Sequence, residues 1–101
     1  MAGARFEVAK LSHVKQQIVD LAARAANAGI KQRFLSLFRA TLRHLERRPW
    51  EVGDPLYPAH HPDGVIYRVA RSPFIIDFAL FEQDKLVLIF NVFPHPHAFP
   101  K

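Results

Sequence analysis

Residues 65–92 read VIYRVARSPFIIDFALFEQDKLVLIFNV, and this stretch decides the fold. It divides into three short runs, VIYRVA, FIIDFALF and LVLIFNV, rich in β-branched and aromatic residues. Between them lie Arg71-Ser72-Pro73 and Glu82-Gln83-Asp84-Lys85, both polar and turn-forming. Apolar runs this short, bounded by such breaks, predict three strands of an antiparallel meander. Arg68, Asp77 and Asn91 interrupt the apolar runs. A buried polar side chain costs free energy unless it is paired, so each of the three needs a partner or a function.

Pairing rules assign their faces. With residues 82–85 as a hairpin connection, Phe81 lies opposite Leu86, Phe78 opposite Ile89 and Ile76 opposite Asn91. With 71–73 as a three-residue turn, Ala70 lies opposite Phe74 and Arg68 opposite Ile76. Side chains alternate with period two, so Arg68, Asn91 and His95 are expected on one face near one end. Asp77 is expected on the other face, beside Tyr67 and Phe90. A one-residue slip would reverse this assignment.

Upstream of the meander the period changes. Residues 6–11 (FEVAKL) alternate as a short first strand leading to Ser12, a good N-cap. Val14, Ile18, Leu21, Ala25 and Ala28 then form one stripe of a helix over about 13–28, and Gly29 supplies its C-terminal stop. A second helix begins near Ile30 or Lys31, buries Phe34, Leu37, Phe38, Thr41, Leu42 and Leu45, and ends before Pro49. Residues 49–64, with Pro49, Gly53, Pro55, Pro58, Pro62 and Gly64, are expected to form an irregular connection. The Pro- and His-rich tail 94–101 is expected to continue neither strand nor helix. The order is β-α-α-β-β-β: a helical hairpin on a small antiparallel sheet, an α+β fold in one domain over 1–101.

Composition narrows the function. The chain has 101 residues, no cysteine, and 14 Lys and Arg against 9 Asp and Glu, for a formal charge of +5. The absence of cysteine excludes disulfides and thiolate chemistry. No run approaches the ~20 apolar residues of a membrane span, and MAGARFEV has no signal-peptide core, so a cytoplasmic protein without a membrane partner is expected. The basic balance favours an anionic partner such as RNA, DNA or an acidic protein segment. Arg39, Arg43 and Arg47, with Arg33, line the outer side of the second helix, as a phosphate-binding ridge or as a plain solvated face. His60-His61 and His95-x-His97 lack the ligand frame of a zinc site, so neither metal nor other cofactor is expected.

The element order, the Gly53-Asp54-Pro55-Leu56 segment and the Gly64 to Tyr67-Arg68 spacing resemble the RelE/ParE toxin superfamily over most of the chain. The resemblance implies a toxin held inactive by an antitoxin segment. In RelE- and YoeB-like members it implies a metal-free, ribosome-dependent mRNA endoribonuclease (mRNA interferase). The alternative is a non-catalytic binding member of the same fold, ParE-like and gyrase-inhibiting, or an antitoxin-binding orphan.

Carried over by position, Asp54 stands for the acidic base before Pro-Leu, Arg68 for the basic residue of the Tyr-Arg strand, and His95 for the general acid. Residues 74–81 contain no arginine, where the toxins usually place a phosphate-binding one, and Arg71 at the turn is the candidate replacement. These types suit the chemistry: a base for the 2′-hydroxyl, an acid for the leaving 5′-oxygen and a cation for the phosphate. Each also has a plainer reading. Asp54 sits in a Gly-Asp-Pro turn, His95 between prolines, and Arg68 on a sheet face that could simply satisfy it.

Overall fold

A computed structural model describes residues 5–58, 64–96 and 98–99. The described elements are β1 (Glu7–Lys10), α1 (Ser12–Asn27), α2 (Lys31–Arg47), α3 (Pro49–Val52), β2 (Asp54–Pro58), β3 (Gly64–Arg71), β4 (Phe74–Phe81) and β5 (Leu86–Pro94). They form a five-stranded sheet in the order β1-β5-β4-β3-β2, with β1 parallel to β5 and the other pairs antiparallel. Among the described residues no helix is long and apolar enough to cross a membrane.

The helical hairpin packs on one sheet face. Phe34, Phe38 and Leu45 of α2 and Val14, Leu21 and Ala25 of α1 are buried against Phe74, Ile76, Phe78 and Leu80 of β4. Because partners across a ladder share a face, Val69 and Tyr67 of β3 and Val87, Ile89 and Val92 of β5 point the same way. Phe34, Phe38 and Phe74 meet in pairs with ring centroids 5.3 to 6.0 Å apart, and Tyr67 stacks on Phe78 at 5.3 Å. Gly29, at φ 77°, turns the chain between the helices, where a residue with a Cβ would be strained.

Several sequence expectations are corrected. Leu11, not Ser12, precedes the first helical residue, and no side chain caps α1. The described part of the connection after α2, residues 49–58, is not irregular: Pro49 begins α3, where its missing N–H costs nothing, and residues 54–58 pair as a fifth strand. A Cβ at Gly53 would lie 2.6 Å from the Arg68 carbonyl oxygen, so glycine lets β2 start directly beside β3. The tail contributes Pro94 to β5, paired with Phe74. His95 donates its N–H to the Pro73 carbonyl, so the Pro94 nitrogen, one residue earlier, faces away from β4 and no ladder bond is lost. The His60-His61 pair and His97 lie outside the described residues.

Register is corrected too. The turn before β4 holds two residues, Ser72 and Pro73, so Arg71 pairs with Phe74 and Arg68 with Asp77. A bulge after the Phe78–Ile89 pair skips Phe90 and places Asn91 opposite Asp77. Both differences are one residue, and together they put Asp77 in place of Ile76 between Arg68 and Asn91. Asp77 is therefore on the face of Arg68, while Tyr67 is on the helix side.

Candidate functional site

The face of the sheet away from the helices is built of apolar side chains, of which Ile66, Ile75 and Ala79 are buried, crossed by one polar row. Ladder pairing assigns Ile66, Ala70, Ile75, Ala79, Leu88 and Phe93 to this face. The row runs Asp54, Arg68, Asp77, Asn91 across four adjacent strands. Arg68 donates from Nε to Asp77 Oδ1 at 2.7 Å and from Nη2 to Oδ2 at 2.9 Å, a two-pronged ion pair. The Asp77 side chain is 7% exposed and that of Arg68 is 45% exposed. The guanidinium also lies over the Phe93 ring, 5.4 Å from its centre. Asp77 raises the Arg68 pKa above its ordinary value, first by the hydrogen bond and then by its charge.

Burial explains this arrangement. A carboxylate as enclosed as Asp77 would be costly alone, and the arginine across the ladder supplies two donors in the geometry it needs. Asn91 is held from the other side: Gln17 of α1 donates to its Oδ1 at 2.8 Å and accepts from the Val92 N–H at 2.7 Å. His13 donates from Nε2 to the Phe90 carbonyl. Thus α1 closes the edge of β5 where the short β1 has ended.

The sequence-derived candidates are only partly brought together. Asp54 is exposed and directly across from Arg68. His95 follows the Pro94–Phe74 pair, four positions from the Asp77 row, or roughly 13 Å along the strand. Its Nδ1 donates to the Pro96 carbonyl at 2.8 Å. Arg71 points to the helices, donating to Thr41 Oγ1 at 3.0 Å and approaching His44 Nδ1 at 3.5 Å. Arg33, Arg39, Arg43 and Arg47 are exposed on α2.

Two neighbours of the row escape sequence reading, Asp77 as the arginine's partner and Tyr57, exposed on β2 opposite Ile66, whereas Phe93, beneath the guanidinium, is on the face that alternation assigns it. Period-two alternation held the signal for Phe93. The proline-rich DPLYP segment concealed that Tyr57 lies in a strand.

No family model matches the sequence, and no curated protein matches it. The structure is similar to a chain in the crystal structure of the archaeal RelE–RelB complex from Pyrococcus horikoshii OT3, with a TM-score of 0.56 and 20% identity. The alignment covers 91% of this chain and 97% of that one. The strand order, the helical hairpin on one face and this near-complete overlap establish that the chain has the RelE fold.

Proposed function

We propose that the chain is the toxin-like partner of a toxin–antitoxin pair, acting in the cytoplasm by binding an anionic target without cutting RNA. The antitoxin partner is supported by the similar protein, whose crystal structure is of a RelE–RelB complex. The observation that carries the non-cleaving reading is the Arg68–Asp77 pair. The strand cation is committed to a resident carboxylate, His95 lies several rows away, and Arg71 faces the helices. An acid, a base and a cation must face one phosphate for cleavage, and these residues are spread over two faces and two rows. The α2 arginines Arg39, Arg43 and Arg47 suit contact with a polyanion, whether ribosomal RNA or gyrase-bound DNA.

A second reading, ribosome-dependent mRNA endoribonuclease, is favoured by one feature: Asp54 is exposed and adjacent to Arg68. There Asp54 would accept the 2′-hydroxyl proton, the Nη1 hydrogens of Arg68 that Asp77 does not use would hold the phosphate, and His95 would protonate the leaving oxygen.

Induced expression separates the two. The binding reading expects growth arrest with intact mRNA, unchanged in His95→Ala, and relieved by co-expressing the product of an adjacent small reading frame. Translation-dependent mRNA cleavage that disappears in Asp54→Ala, Arg68→Ala and His95→Ala would replace it with the ribonuclease. Undisturbed growth would remove the toxin reading altogether.

A further inference from the structure

We propose that Trp50 and the arginine ridge of α2 form a surface for single-stranded nucleic acid, with Trp50 as the stacking platform for an unpaired base. This rests on the anionic-target reading and adds the class of polymer and the residue that distinguishes it.

Trp50 is the chain's one tryptophan and is 45% exposed. Tryptophan is highly buried on average, so a ring this open on a helical turn is unusual. It is also braced. Its ring meets buried Phe6 edge-on, with centroids 5.8 Å apart and planes at 67°. The Phe6 ring in turn carries Lys85 Nζ 5.1 Å from its centre. Trp50 is thus braced by Phe6 and half exposed, with a lysine next to its support. A rigid, half-exposed aromatic surface near cations is what base stacking uses.

The ridge ends close to Trp50 in the sequence. Arg39, Arg43 and Arg47 recur every four residues, about 6 Å apart along the axis. The ion pairs among the described residues are Arg68–Asp77, Arg48–Glu51 and His44–Glu51, and none includes these three arginines. Like charges at this spacing destabilise a helix, so the row is kept at a cost. Arg47 ends α2 three positions before Trp50. Arg48, between them, donates to Glu51 at 3.2 Å. Cations in series followed by an open indole match a polymer that carries both phosphates and bases. An acidic peptide would use the ridge and leave the ring idle, and a duplex would keep its base faces stacked internally.

The lone tryptophan is its own reporter. Intrinsic fluorescence would be titrated with a short oligouridylate, an RNA duplex of equal length, inorganic polyphosphate and an acidic peptide. The expected result is quenching by the oligouridylate, little by the other three, and several-fold tighter binding of the single strand than of the duplex. Anisotropy with a labelled oligouridylate should show binding weakened about tenfold or more in Trp50→Ala and largely kept in Trp50→Phe. Circular dichroism would confirm that both variants stay folded.

Binding that leaves the fluorescence unchanged, or is equal in Trp50→Ala, overturns the stacking platform. If the Arg39, Arg43 and Arg47 triple variant alone loses binding, the anionic-target reading survives that failure. Failure of all the polyanions to bind removes both. Stronger quenching by the acidic peptide than by the oligouridylate assigns the surface to a protein partner and also overturns the proposal.

Discussion

The helical hairpin and the open sheet face handle charge in opposite ways. On α1 and α2, Lys15, Arg24, Lys31, Arg33, Arg39, Arg43 and Arg47 stand against only Asp20 and Glu46, a surplus equal to the formal +5 of the whole chain. On the sheet, Arg68 is matched by Asp77 in a closed pair and flanked by Asp54. Among the described residues the lysines and arginines of the hairpin form no ion pair, and in water such a charge costs little and attracts polyanions at long range. The sheet face is largely apolar, where an unpaired charge would be expensive, so its charges are paired at the ladder. The hairpin therefore suits a polyanion, whereas the sheet face keeps its charges closed in a pair and Ile66 and Ile75 buried.

The contrast can be broken most forcefully at the layer boundary. Phe78→Ala, on the helix side of β4, is expected to cost about 4 kcal/mol, and Leu88→Ala on the open face only about 1 kcal/mol. Equal costs in urea unfolding would mean that both faces of the sheet are equally enclosed. The next effect tests the closed pair. Arg68→Ala strands the Asp77 carboxylate and should cost about 2 kcal/mol, below the range for a fully buried pair because Arg68 is half exposed. Asp77→Asn should cost less, since a neutral amide leaves no charge buried, and the reverse order in denaturation midpoints would contradict this account.

Within the hairpin, Gly29→Ala should cost about 1 kcal/mol through its positive φ alone, because nothing lies within 4 Å of an added Cβ. A thermal melt shifted no more than that of an exposed alanine substitution would count against it. The smallest stability effect belongs to the ridge. Replacing Arg39, Arg43 and Arg47 with Gln should leave stability within a few tenths of a kcal/mol, or raise it slightly by relieving repulsion. The same variant should flatten the salt dependence of oligonucleotide binding by about 2 units of log–log slope. A large loss of stability would show that the ridge is structural.

Local chemistry made much of the fold readable. Gly29 and Pro49 bounded the helices, turn residues separated β3, β4 and β5, and the period change at Ser12 marked the switch from strand to helix. Strand β2 was not readable, because five exposed residues with two prolines carry neither alternation nor an apolar run. The pairing of β1 with β5 was hidden for another reason: it joins residues about eighty positions apart, and nothing local encodes it. At the site, Asp54 and Arg68 were legible as residues, but their shared row depended on β2 existing at all.

The polar interruptions in residues 65–92 were determined by sequence, as was the need to satisfy them. Which of them meet was decided only in three dimensions. A strand carries its side chains with period two, so one residue in a turn or a bulge exchanges faces. The two-residue Ser72-Pro73 turn and the bulge at Phe90 each shifted the ladder by one, and Asp77 moved beneath the Arg68 guanidinium. The residue types set the chemistry available to the sheet; strand register settled that Arg68 donates twice to Asp77.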